Sequence, residues 1–185
     1  MNAPHGDLLS WGSMDLPQTK PSSGRVLSLR RRDLLFLSLA AAVIAFDQLT
    51  KHLVRAFIDH GETVPEGWAV RLVNVSNTGA AFGILQNQGA FLVITSLIGV
   101  VAILLYYFYP PFDYWPMTAA LALILGGAIG NLSDRIRLGE VTDFIDFPHY
   151  PSFNVADSSI VVGVAVLAGL LALGLPRGVA PKGEP

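Results

Sequence analysis

Four stretches of this chain are apolar, long and almost free of charge: residues 34–50, which "KHLV" extends, and residues 89–109, 114–131 and 158–175. Crossing about 30 Å of hydrocarbon at 1.5 Å per residue takes about 20 residues. Each stretch is near that length. In lipid every backbone N–H and C=O needs an internal partner, which runs of this length supply only as α-helices. The expected fold is therefore an all-α membrane protein, a bundle of four transmembrane helices.

Composition agrees, because 52% of the residues are hydrophobic and only 14% charged, far from the balance of a soluble domain. A formal net charge of −2 offers nucleic acid no basic surface, so no nucleic-acid partner is expected. The absence of cysteine removes disulfides, thiolate metal sites and a cysteine nucleophile together.

Residues 1–29 mix Pro, Gly, Ser and scattered charge without apolar periodicity and read as a disordered tail. The embedded domain is expected over residues 30–176, with a short tail at 177–185. Arg25, Arg30, Arg31 and Arg32 precede the first span and Arg177 and Lys182 follow the last, which predicts that both termini are cytoplasmic. The aromatic cluster "YYFYPPFDYW" fits a tight interfacial turn on that side.

The polar residues gather at the opposite ends of the spans. Asp47 and Lys51 close the first span, "NVSNTGAAFGI" leads toward the second, "GNLSDR" ends the third and "FNVAD" opens the fourth. A four-helix bundle brings these together at one end, near the outer membrane face. Each also has a purely structural reading. Asp47 and Lys51 share a helix face and can neutralise each other. "NTG" can be a turn, "GGAIG" a small-residue surface for close helix packing, and Asn131, Asp134 and Arg135 a hydrogen-bonded brace. Asp157 can be an acid favoured by a helix N-terminus, and Asp143 and Asp146 solvated loop charges.

The structural reading weakens for Asp143 and Asp157 taken together. They stand 157 − 143 = 14 positions apart across a segment containing Pro148 and Pro151, which can fold back and set the carboxylates side by side. A close carboxylate pair tends to hold one shared proton, leaving a base and an acid at one site, which suits water attack on an amide. Two other readings compete. A transporter would use Asp47 and the other acids as a cation path, and a metallohydrolase would use Asp143, Asp146, His149 and Asp157 as ligands.

In order along the chain, "FDQLTK", "NTGAAFGI", "GGAIGNLSDR", "GEVTDFIDF" and "FNVAD" closely resemble the motifs of bacterial lipoprotein signal peptidase, signal peptidase II. The resemblance spans roughly residues 33–175. It implies an aspartyl endopeptidase of the bacterial cytoplasmic (inner) membrane that cleaves the signal peptide from prolipoproteins just before a diacylglyceryl-modified cysteine. By motif, Asp143 and Asp157 match the catalytic pair. Asp47, Lys51, Asn77, Gly79, Asn131, Asp134, Arg135, Asn154 and Ala156 match positions expected to bind substrate or support the site. The resemblance also implies a small extracytoplasmic β element, with residues 68–75 contributing. Membrane lipid is an expected partner, a monomer is the expected state, and no metal or cofactor is expected.

Overall fold

The computed structural model describes residues 30–65, 67–79, 88–110 and 114–175. The tails at 1–29 and 177–185, residues 80–84 of the second motif and residues 111–113 of the aromatic turn lie outside the described residues. Four long apolar helices are present: α1 (Arg31–Phe57), α2 (Gly89–Phe108), α3 (Trp115–Leu138) and α4 (Val155–Ala172). Four strands stand at one end of the bundle: β1 (Thr63–Val64), β2 (Arg71–Asn77), β3 (Val141–Phe147) and β4 (Tyr150–Phe153). They form one antiparallel sheet in chain order.

The helices run past the expected spans where a charged residue stands at the limit of the apolar run. α3 continues past Asn131 for two turns, because Asp134 and Arg135 find partners on neighbouring elements. It ends where Gly139 adopts φ 80°, a left-handed conformation that glycine enters without a Cβ penalty. α4 starts at Val155 instead of 158, because Asn154 caps it. α1 runs on to Phe57, with Arg55 bonded to Thr142 of β3.

The segment between Asp143 and Asp157 is a β-hairpin, β3 to β4, and not an irregular loop. The link is Pro148 and His149, and His149 has φ 66°. β3 also pairs with β2, in a register that sets Asp143 opposite Val75 and Asn77 opposite Val141. Diagonal neighbours on one face of an antiparallel pair lie within side-chain reach, so Asn77 and Asp143 meet.

α3 is the hub, packed against the other three helices. Its glycines permit this. A Cβ on Gly126 would stand 2.7 Å from Val43 Cβ of α1, and one on Gly127 would stand 2.3 Å from the Ala156 carbonyl of α4. "GGAIG" is thus a close-packing surface toward two helices at once. The apolar core, built on Phe36, Tyr107, Met117, Leu121 and Leu125, fills the end of the bundle away from the sheet. Phe36 and Tyr107 stack there with ring centroids 3.8 Å apart.

Candidate active site

The start of α4 is the local structure on which the site is built. The first N–H groups of a helix have no intrahelical partner. Asn154 Oδ1 accepts from the Asp157 N–H at 2.9 Å, and Asp157 Oδ2 accepts in return from the Asn154 N–H at 3.3 Å, a reciprocal cap. The Ala156 N–H is taken by Asp47 Oδ1 of α1 at 2.9 Å. These bonds fix the Asp157 carboxylate against the bundle.

Asp143 arrives from β3 and is 3% exposed. Asn154 Nδ2 donates to its Oδ1 at 2.7 Å, and Asn77 Nδ2 donates to its Oδ2 at 2.8 Å. Burial pushes the Asp143 carboxyl up to about 6. The Asn77 hydrogen bond opposes that rise, the neighbouring Asp157 charge adds to it, and Asn154 and Lys51 oppose it. Asn154 therefore touches both acids, one through its side chain and the other through its backbone. Both acids face a cleft of about 870 Å³, walled on one side by Phe147 and Phe153 of the hairpin and on another by Ile160 and Val161 of α4.

Behind Asp157 lies a buried charged cluster. Lys51 and Asp47 are both fully buried. Lys51 Nζ reaches Asp47 Oδ2 at 2.9 Å, Asp134 Oδ2 at 2.9 Å and Asn131 Oδ1 at 2.8 Å. Asn131 Nδ2 then donates to Asp157 Oδ1 at 2.7 Å. On the other flank the Gly79 N–H donates to Asn77 Oδ1 at 2.9 Å, while Arg135 donates to the Gly79 carbonyl at 3.3 Å. The residues singled out in the sequence thus form one network across α1, β2, α3, β3 and α4. Asp47 does more than neutralise Lys51, since it also caps α4.

Asp146 and His149 stand apart from the pair. Asp146 is held by Arg71 in an ion pair and by Ser152 Oγ at 3.0 Å, and His149 is exposed at the hairpin turn. Among the described residues, no three His, Cys, Asp or Glu side chains gather to hold one ion. The polar cluster also stops within the bundle. Below Asp47 the described interior is largely apolar, with Phe36, Ala40 and Val43 on α1 and Leu121, Ala122 and Leu125 on α3.

A family model described as Signal peptidase (SPase) II matches residues 39–173, well over half of the chain. The chain belongs to the signal peptidase II family. It is similar to the lipoprotein signal peptidase of Moorella thermoacetica, 44% identical over 140 residues that make up 75% of this chain and 93% of the relative. It is likewise 46% identical over 136 residues to that of Caldanaerobacter subterraneus subsp. tengcongensis, covering 72% and 92%. Among solved structures, one described as a bacterial membrane enzyme determined by the in meso method at 2.3 Å superposes with a TM-score of 0.72. It is 29% identical and covers 80% of this chain and 94% of that one. This signal peptidase II family member is accordingly a membrane peptidase.

Two residues of the network, Gln48 and Arg55, are not singled out by the sequence. Gln48 Nε2 donates to Asp134 Oδ1 at 3.0 Å and to the Gly130 carbonyl at 3.2 Å, tying α1 to α3. Arg55 Nη1 donates to Thr142 Oγ1 at 2.8 Å, which pins β3 next to Asp143. Gln48 lies inside "FDQLTK" and one position from Asp47, a signal that was available. Arg55 is one helical turn past Lys51, on the same face of α1.

Proposed function

We propose that Asp143 and Asp157 are the catalytic pair of an aspartyl endopeptidase acting on diacylglyceryl-modified prolipoproteins. As a signal peptidase II family member, the chain removes signal peptides from prolipoproteins. The observation that carries the catalytic assignment is that one buried residue, Asn154, bonds both carboxylates at the edge of one cleft.

In the reaction, the ionised member of the pair takes a proton from a water whose oxygen attacks the scissile carbonyl carbon. The protonated member donates a hydrogen bond to the carbonyl oxygen as it gains charge. Collapse of the tetrahedral intermediate breaks the C–N bond, and the amine leaves with a proton from the pair. Asn77, Asn131 and Asn154 orient the two acids and Arg135 holds the Gly79 backbone at the cleft. The scissile bond precedes the lipidated cysteine, whose acyl chains rest in the bilayer against the bundle. Basic residues before α1 and after α4 support cytoplasmic termini and an outer-face site in the inner membrane. The working unit is a monomer, with residues 30–176 as the peptidase domain between two cytoplasmic tails.

The test is cleavage of a diacylglyceryl prolipoprotein by the purified protein in detergent, with and without chelator. Asp143→Asn and Asp157→Asn should each lower turnover by about 10²-fold or more, with or without chelator. Asp146→Asn should keep it. Near-normal turnover in either of the first two folded variants would remove that acid from the pair.

A further inference from the structure

The catalytic step uses the Asn131 amide only through its donor to Asp157, which leaves the buried ammonium behind it without a role in the chemistry. The Lys51 ammonium stands between Asp47 and Asp134 as an ion pair with each, and it donates a hydrogen bond to Asn131 Oδ1. An amide has two orientations. Reversing that of Asn131 would press its NH2 against the ammonium and its oxygen against the Asp157 carboxylate, both repulsive contacts. Asn77 and Asn154 are oriented in a comparable way, but by neutral backbone N–H groups of Gly79 and Asp157. Of these three amide oxygens, only that of Asn131 accepts from a cation.

We infer that Lys51 is a positioning residue for cleavage, acting through Asn131 to hold a polarised donor on Asp157 Oδ1 and so to favour the ionised form of that carboxylate. The inference rests on the reading of Asp143 and Asp157 as the catalytic pair. Charge-assisted hydrogen bonds are the strong ones, and a chain of them polarises along its length in a site shielded from water. Among the described residues, the charged groups acting on Asp157 are Lys51 and Asp47 from α1, Arg135 from α3 and Asp143 from β3, with Asp134 of α3 behind Lys51. Lys51 with its two acids carries −1 + 1 − 1 = −1. Deleting the lysine alone would therefore leave two uncompensated carboxylates beside the site and confuse positioning with folding.

The experiment uses the full chain and two variants. Lys51→Met combined with Asp134→Asn keeps the cluster at −1 while removing the ammonium. Asn131→Leu removes the amide while leaving Lys51 its two acids. With a diacylglyceryl prolipoprotein, both should lower kcat about tenfold or more with KM within about twofold. Both should also move the acidic limb of the kcat pH profile to higher pH, because ionising the base becomes harder. Combining them should cost no more than the larger single effect, because the two act in series. An acidic limb unmoved in folded Asn131→Leu overturns the inference, even if the Lys51 variant fails to fold. So does a loss of activity in both that only tracks a lower unfolding temperature, since that is what a structural brace would give. Wild type that cleaves, with Asp143→Asn inactive and these limbs unmoved, would sink this inference alone. Asp143→Asn that cleaves normally would sink the catalytic pair beneath it.

Discussion

Asn154 donates Nδ2 to Asp143 Oδ1 at 2.7 Å while its own Oδ1 receives the Asp157 N–H at 2.9 Å. One side chain thus caps α4 and orients an acid from β3. The two roles separate by substitution. Asn154→Ser keeps a cap acceptor but has no amide donor, and Asn154→Ala has neither. Turnover should fall in both by about 10- to 100-fold, the worth of a hydrogen bond to a charged group. The alanine variant should be less stable than the serine one by about 1 kcal/mol. Equal turnover in Asn154→Ser and wild type would show that the contact to Asp143 is not used.

The raised Asp143 carboxyl sets a pH dependence of stability. Its value of about 6 lies above the ordinary 3.8, so between those limits the folded protein holds a proton that the unfolded chain has released. Stability from this group is present below about pH 4 and is lost as pH rises through about 6. Asp143→Asn removes the penalty. Relative to wild type, the variant should gain on the order of 2 kcal/mol between pH 4 and pH 7. Unfolding in detergent at the two pH values measures this, and a constant difference would contradict the buried, proton-holding acid.

Asp47 forms an ion pair with Lys51, accepts from the Ala156 N–H and is fully buried. Asp47→Ala leaves the ammonium with one acid and opens the start of α4. Breaking one arm of a buried ion pair costs about 3–5 kcal/mol. Folded yield should therefore fall more than turnover per folded molecule. Full yield with abolished turnover would instead place Asp47 in the chemistry.

The spans were legible because hydrocarbon admits few polar side chains, and long uncharged runs have one stable form. Their ends were not, because ends depend on distant partners. α3 carries Asp134 in a helix because Lys51 and Gln48 lie across from it on α1. The start of α4 was readable in principle, since Asn154 and Asp157 have capping-box spacing. The hairpin was hidden because Pro148 and Pro151 read as loop. Its first strand exists because β2 pairs with it across 64 to 75 positions of chain, from Asn77 opposite Val141 to Arg71 opposite Asp146. That Asp143 and Asp157 meet at one cleft was legible in the fold-back between them, whereas the asparagines that join them could be assigned partners only in three dimensions.

Gly127 offers a test of how α3 and α4 hold the site together. A Cβ there would stand 2.3 Å from the Ala156 carbonyl and 2.4 Å from Ser159 Oγ. The first of these is backbone at the capped start of α4, so the helices must separate where Asn131 meets Asp157. Gly127→Ala should lower stability by about 1–3 kcal/mol and reduce turnover with it. Gly99 on α2 has nothing within 4 Å of its built Cβ, so Gly99→Ala should be neutral or slightly stabilising. Thermal unfolding of both variants in one detergent gives the comparison. Equal effects would mean that the α3–α4 contact yields freely and does not set the spacing of the acids.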